Sequence, residues 1–201
     1  CNMSKEREAL EKLSNDNGLI FVSEAEENGI DRQRLSYLAK ENKIDRVRHG
    51  VYALKDEVFD EYVLLQGKSE RVIYSYHTAL YFHGLSDRVP SQLHISVPQG
   101  YNASRLKGRY DDLIVHYVSK DLLSLGREKG ITPFGGEIIL YDVERTICDL
   151  VKDRKNIDPQ IFTSAIKKYF SGGNIRYRKL IKYAKALKVE NKIRSYLEVM
   201  V

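Results

Sequence analysis

Apolar positions in the first part of the chain switch spacing several times, and each switch marks a new element. Ala9, Leu10 and Leu13 recur at helical spacing between charged residues, which predicts an amphipathic helix over residues 4–14. Asn15, Asp16, Asn17 and Gly18 then supply turn formers that end it. The apolar run 19–22 is too short for a helix and suits a brief strand. Ser23 and Glu26 stand in capping-box spacing at the start of a short helix, which Asn28 and Gly29 can close with a left-handed residue. Asp31 is placed to cap the next helix, over residues 32–41. Two helices joined by a short turn containing glycine spell a helix-turn-helix.

At 100° per residue, Leu35, Leu38 and Ala39 of that second helix share one side and face a core. Gln33, Tyr37 and Lys40 fall opposite, with Arg34 and Ser36 flanking. A long amide can pair bidentately with adenine, whereas Arg32 and Arg34 near the helix start suit phosphates. Two short alternating runs follow, Ile44–Arg48 and Val51–Leu54, around His49 and Gly50. They predict a hairpin with a two-residue primed turn, in which histidine tolerates a positive φ. In that register Val47 and Tyr52 share one face, and Arg46 and Arg48 share the other beside His49. Helix, strand, helix-turn-helix and basic hairpin in that order make a winged helix-turn-helix, expected to occupy residues 1–68.

Residues 69–201 read as a mixed α/β C-terminal domain with a small sheet and a C-terminal helical bundle, so the whole chain is α+β. Residues 56–65 form a short amphipathic segment, and 66–69 form a linker containing glycine. Ser75 is expected to cap a helix through His83, closed by Gly84 and Leu85. Strands are expected over 93–97, 113–118 and Glu137–Tyr141. Helices are expected over Val143–Lys152 behind the cap Asp142 and over 159–170 behind Asp158. Two more are expected over 177–187 and Glu190–Met200.

Charge sharpens this picture because it is local. The chain of 201 residues has a formal net charge of +5. Residues 32–55 carry seven basic side chains against Glu41 and Asp45, and residues 152–201 carry thirteen against four acidic ones. Clustering of this kind is what a phosphate footprint requires. In the C-terminal quarter, Arg178, Lys182 and Lys185 line one side of a predicted helix, bordered by Lys179 and Lys188. They form a possible second basic surface, with Leu180, Ile181, Ala184 and Leu187 packing inward. With 42% hydrophobic residues the chain can bury a core, and no apolar run approaches the ~18–20 residues that cross a bilayer, so no membrane partner is expected. Residues 4–14 are charged and do not read as a signal peptide, which makes a cytoplasmic location the expectation. Cys1 and Asn2 precede the first methionine, Met3.

Two runs in the C-terminal part carry a family resemblance. One is His77-Thr78-Ala79-Leu80-Tyr81-Phe82-His83-Gly84-Leu85-Ser86-Asp87-Arg88-Val89-Pro90, followed by Leu93-His94-Ile95-Ser96-Val97-Pro98. The other is Asp142-Val143-Glu144-Arg145-Thr146-Ile147-Cys148-Asp149-Leu150-Val151. Together with the N-terminal winged helix-turn-helix they resemble the AbiEi antitoxins of AbiE abortive-infection toxin–antitoxin systems. The resemblance implies a repressor of its own operon that binds promoter and operator DNA. It also implies counteraction of a nucleotidyltransferase-type toxin in a type IV relationship, without a stable complex between the two.

Catalytic chemistry is weakly signalled by comparison. Of the five histidines, His77 and His83 are six apart on a predicted helix and point to nearly opposite sides. His94 and His116 lie on predicted strands and can approach one another, but no metal-ligand spacing surrounds them. Cys148 sits among apolar neighbours and reads as a small hydrophobe. Neither Gly135-Gly136 nor Gly172-Gly173 belongs to a phosphate-binding loop, and Asp111 and Asp112 would point oppositely in a strand. No cofactor, metal or catalytic residue is therefore expected. The alternative is a metal-dependent nuclease using Glu190 and Lys192, targeted to DNA by the winged helix.

Overall fold

The structure is a computed structural model that describes residues 2–14 and 17–200. Cys1 and two of the expected helix-ending residues, Asn15 and Asp16, lie outside the described residues. The chain divides into two compact units. One holds the residues up to Gly67 together with Ile131–Ile138, and the other holds Lys68–Gly130 together with the residues from Ile139 onward.

In the first unit, α1 (Asn2–Ser14) buries Leu10 and leaves its charged positions outside. The strand β1 (Leu19–Phe21) passes directly into α2 (Val22–Glu27). The expected capping box at Ser23 is replaced by an earlier start, with Phe21 at the N-cap and no side-chain cap bond. The reason is tertiary: Val22 is buried, and its N–H donates to the Gly50 carbonyl at 3.0 Å, so a strand contact and the first helical turn meet on one residue. The other end of α2 follows the sequence. Gly29 takes φ +82°, its N–H bonds the Glu26 carbonyl, and the Ile30 N–H reaches back to Ala25. Asp31 then caps α3 (Arg32–Lys40), accepting the Arg34 N–H at 2.7 Å.

The strands β2 (Ile44–Arg48) and β3 (Val51–Leu54) complete a sheet of order β1-β3-β2. Leu10, Ile20, Ala25, Leu35, Leu38 and Ile44 meet in the core beneath it. The amphipathic segment 56–65 contributes a short helix, α4 (Glu61–Gln66), which ends at the expected linker and is capped by the buried Asp60. The same Asp60 carboxylate accepts the Thr132 hydroxyl from the separate segment Ile131–Ile138. Gly136 is required there, since a Cβ would lie 2.5 Å from both Asp60 and Val63. The expectation of an unbroken C-terminal domain over 69–201 thus meets a segment that groups with the first unit instead.

The second unit holds most of a sheet of order β6-β5-β4-β8-β7, formed by β4 (Ile73–Tyr74), β5 (His94–Pro98), β6 (Ile114–Val118), β7 (Arg127–Ile131) and β8 (Glu137–Tyr141). β5 runs parallel to β6 and antiparallel to β4. Its helices are α5 (Tyr76–Phe82), α6 (Ser104–Arg109), α7 (Val143–Lys152), α8 (Pro159–Ser171), α9 (Tyr177–Ala186) and α10 (Glu190–Met200). Ile147, Leu150, Phe162, Phe170, Leu180 and Ile193 interlock as the core of the last four. Asp142 and Asp158 cap α7 and α8 as expected. Ser75 occupies the N-cap position of α5 without capping it. Its buried hydroxyl accepts the Ser96 hydroxyl of β5 at 2.8 Å. The next residue, Tyr76, enters the helix at φ +48°.

Candidate nucleic-acid interface

The helix α3 presents the face expected of it. Leu35 and Leu38 are buried, Ala39 packs at the core margin, and Gln33, Tyr37 and Lys40 are exposed. Tyr37 keeps 49% of its surface in solvent, a large fraction for a side chain with this apolar area. Arg32 is exposed at the helix start and Ser36 is half-buried. An exposed amide, phenol and ammonium on a capped helix form a surface able to donate to base edges and phosphates alike.

Arg34 is placed differently from the expected phosphate contact. Its guanidinium forms a fork with the Glu6 carboxylate of α1, at 2.7 and 2.8 Å, and lies 5.1 Å from the Tyr37 ring centroid. The pairing holds the Glu6 carboxyl below the usual range. Arg34 therefore ties α1 to α3 and steadies the tyrosine, while Arg32 is exposed at this end. Glu6 had no signal in its own neighbourhood, because the partners lie 28 positions apart.

The hairpin departs from the expected register. Arg46, and not Val47, stands opposite Tyr52, and the ladder slips before Arg48 pairs with Val51. Gly50 alone of the two turn residues takes a positive φ, so the turn is not the primed form with histidine in the left-handed region. The slip is an irregularity of the bulge kind, which changes where the following side chain points. Arg46 and Arg48 consequently do not share a free face. Arg46 is exposed, with Nη2 3.3 Å from His49 Nδ1 at the exposed tip. Arg48 is half-buried and its guanidinium lies over Gly67, where a Cβ would come within 2.5 Å of it.

The residues expected to form the second basic surface differ in exposure and pairing. Arg178, Lys182 and Lys185 are exposed along α9, and Lys188 is exposed just beyond it at φ +60°. Lys179 is engaged: its ammonium sits 2.9 Å from Asp142 and 3.8 Å from Glu144. Asp142 also accepts the Tyr183 hydroxyl at 2.8 Å, so one cap residue joins α7 to α9. Local pattern gives Tyr183 no such role, because its partner lies 41 positions away.

The run Asp142–Asp149 is a buried polar bracket. Arg145, 1% exposed, donates to Asp149 at 3.0 Å and to the Leu122 and Leu125 carbonyls at 2.6 and 2.7 Å. Its guanidinium also stands 4.1 Å from the Tyr141 ring centroid. Burial pushes the Asp149 carboxyl up to about 6 against the pull of that arginine. Cys148 is buried in the apolar core, where desolvation raises its thiol well above the ordinary value. Glu190, half of the nuclease alternative, accepts the Arg194 guanidinium on α10. His94 and His116 meet from β5 and β6, an approach the strand pattern allows, and His77 of α5 joins them by stacking on His94.

Among solved structures, the crystal structure of the RV2827C protein from Mycobacterium tuberculosis shares this fold. It covers 94% of the present chain and 79% of its own, with a TM-score of 0.56 and 11% identity. No curated protein matches the chain. The segment that builds α1 to β3 carries the stronger signal: residues 7–55 match the family of AbiEi antitoxin transcriptional regulators.

Proposed function

We propose that the chain is an antitoxin and DNA-binding repressor of its own toxin–antitoxin operon. The observation that carries this reading is the exposed Gln33, Tyr37 and Lys40 face of α3, beside Arg46 and His49 of the wing, inside the matched segment. The helix enters the major groove with Gln33 toward a base edge, while Arg32, Lys40 and Arg46 neutralise phosphates. Arg34 and Arg48 support the binding surface instead of contacting DNA, because both guanidinia are already seated. The toxin counteracted is of nucleotidyltransferase type, acts without a stable complex with this chain, and is opposed chiefly through residues 69–201. Arg178, Lys182 and Lys185 supply a second contact to the flanking polyanion.

Operator binding over a salt series tests this. Arg46→Ala is expected to weaken binding to all sequences and to lower the log–log salt slope by roughly one. Arg48→Ala is expected to leave that slope unchanged. Gln33→Ala is expected to relax preference at one base pair, costing about 1–3 kcal/mol of discrimination. Wild-type affinity and slope in Arg46→Ala would refute the wing contact, and a uniform loss in Gln33→Ala would assign that residue to phosphate.

A further inference from the structure

His94 and His116 meet diagonally across the parallel pair β5–β6, where the register partners are Ile114 and Ser96, with His94 Nδ1 2.9 Å from His116 Nε2. His77, from the first turn of α5, stacks on His94 with ring centroids 4.2 Å apart, and Tyr76 stacks on His116 at 3.8 Å. Three imidazoles thus join one helix to the edge strand β6 and its neighbour β5. Among the described residues no three His, Cys, Asp or Glu side chains are arranged to hold a metal ion, so the chemistry of this cluster is that of protons.

We propose that the imidazole cluster is an acid-sensitive latch, closed while its rings are neutral and released when they take up protons. The geometry sets its capacity. An N–H···N bond between two imidazoles needs one lone pair, so the pair can carry one extra proton but not two; a second would place two N–H groups head to head at 2.9 Å. His77 Nδ1 is buried without a hydrogen-bond partner, so the fold gives a proton there nothing to bond.

The surroundings do not rescue the charge. Asp153 from the end of α7 acts on His116 and Asp158 from the cap of α8 acts on His77, both favouring protonation. Asp158 is already spent on the Gln160 and Ile161 N–H groups and Asp153 accepts the Asn156 amide. Arg88 lines the same cavity of about 630 Å³ and opposes added positive charge. The Tyr76 ring face offers His116 some cation–π compensation and offers His94 none at its 6.3 Å distance. Burial wins: it holds His94 down to about 3 and His116 to about 4. Tyr76 also waits at φ +48°, a conformation bulky side chains leave when released.

The sign follows from linkage. A histidine free in the open state binds its proton near pH 6.5, whereas the folded pair resists until well below it. Opening therefore takes up protons, and its equilibrium rises about tenfold per pH unit for each proton taken up as pH falls below 6.5. The loosened elements are α5, β5 and β6, while β1, β2 and β3 of the first unit carry no part of the latch.

Proton NMR of the histidine rings in the full chain, combined with amide hydrogen exchange at pH 7.5 and 5.0, tests the proposal. The His94 and His116 ring signals are expected not to titrate between pH 8 and 5.5 in the folded chain. Protection at residues 76–82, 94–98 and 114–118, corrected for intrinsic exchange, is expected to fall at least about tenfold at pH 5.0. In His94→Gln/His116→Gln that acid-induced fall should shrink. Ring signals titrating near 6.5 with the fold retained, or protection lost equally from residues 19–21 and 44–54, would overturn the latch. Should the double variant fail to fold, the wild-type ring titration and exchange decide alone.

Discussion

Polar chemistry is deployed oppositely in the two units. In the first, Gln33, Tyr37, Lys40, Arg46 and His49 stand outside, over a small core of aliphatic side chains and Tyr52. In the second, Arg145, Asp142, Asp149 and His94 are buried, each with specific partners. A unit that meets an external polyanion keeps its donors uncommitted, whereas a unit that commits them internally gains a unique packing at the risk of burying charge. Both runs that carry the family resemblance lie in the second unit and follow its pattern. Asp142 and Arg145 spend their bonding capacity on α7, α9 and the Leu122–Leu125 turn, which makes their first role structural.

The contrast can be broken most forcefully at Arg145. Arg145→Ala leaves Asp149 buried without its cation and two carbonyls without a donor, so a loss of about 3–5 kcal/mol is expected. Amide exchange should show it in the second unit alone; equal loss of protection in the first would mean that the units are not separate cooperative bodies. Leu35→Ala is the mirror experiment. It empties a fully buried position under α3, and about 2–5 kcal/mol should be lost from the first unit together with operator binding. Binding that survives an unfolded first unit would remove α3 from the interface.

Smaller changes sharpen the comparison. Asp31→Ala deletes the cap of α3 and should cost about 1 kcal/mol, read as a lower melting temperature with the second unit's protection unchanged. Reversing Arg178, Lys182 and Lys185 to glutamate should shift stability least, by about 0.5 kcal/mol or less, since all three are exposed. The same triple variant should shorten the operator footprint. An unchanged footprint would make α9 a solvated face.

Much of the architecture was legible in local pattern. The caps Asp31, Asp142 and Asp158 and the glycine stops Gly29 and Gly84 act within a few residues of themselves, and each appears where the pattern put it. β7 was not legible, since Arg127–Ile131 is mostly charged and exposed and shows no two-residue alternation. β4 was missed because two residues carry no period at all. At Ser23 and Ser75 a good capping residue was outvoted by a buried neighbour or a cross-strand hydroxyl.

The candidate site divides along the same line. Which side chains of α3 face outward was set by the sequence alone, because a helix of 3.6 residues per turn has one way to bury Leu35 and Leu38 together. Which cations remain open was decided only in three dimensions. Glu6 captures Arg34 from another helix, the slip in the hairpin sends Arg48 onto Gly67, and Asp142 with Glu144 takes Lys179. His77, His94 and His116 likewise become one cluster only when β5 pairs with β6 and α5 packs beside them. Periodicity is local and survives in the order of residues, but the partner that consumes a charge is chosen by contacts between distant segments, and those exist only once the chain has folded.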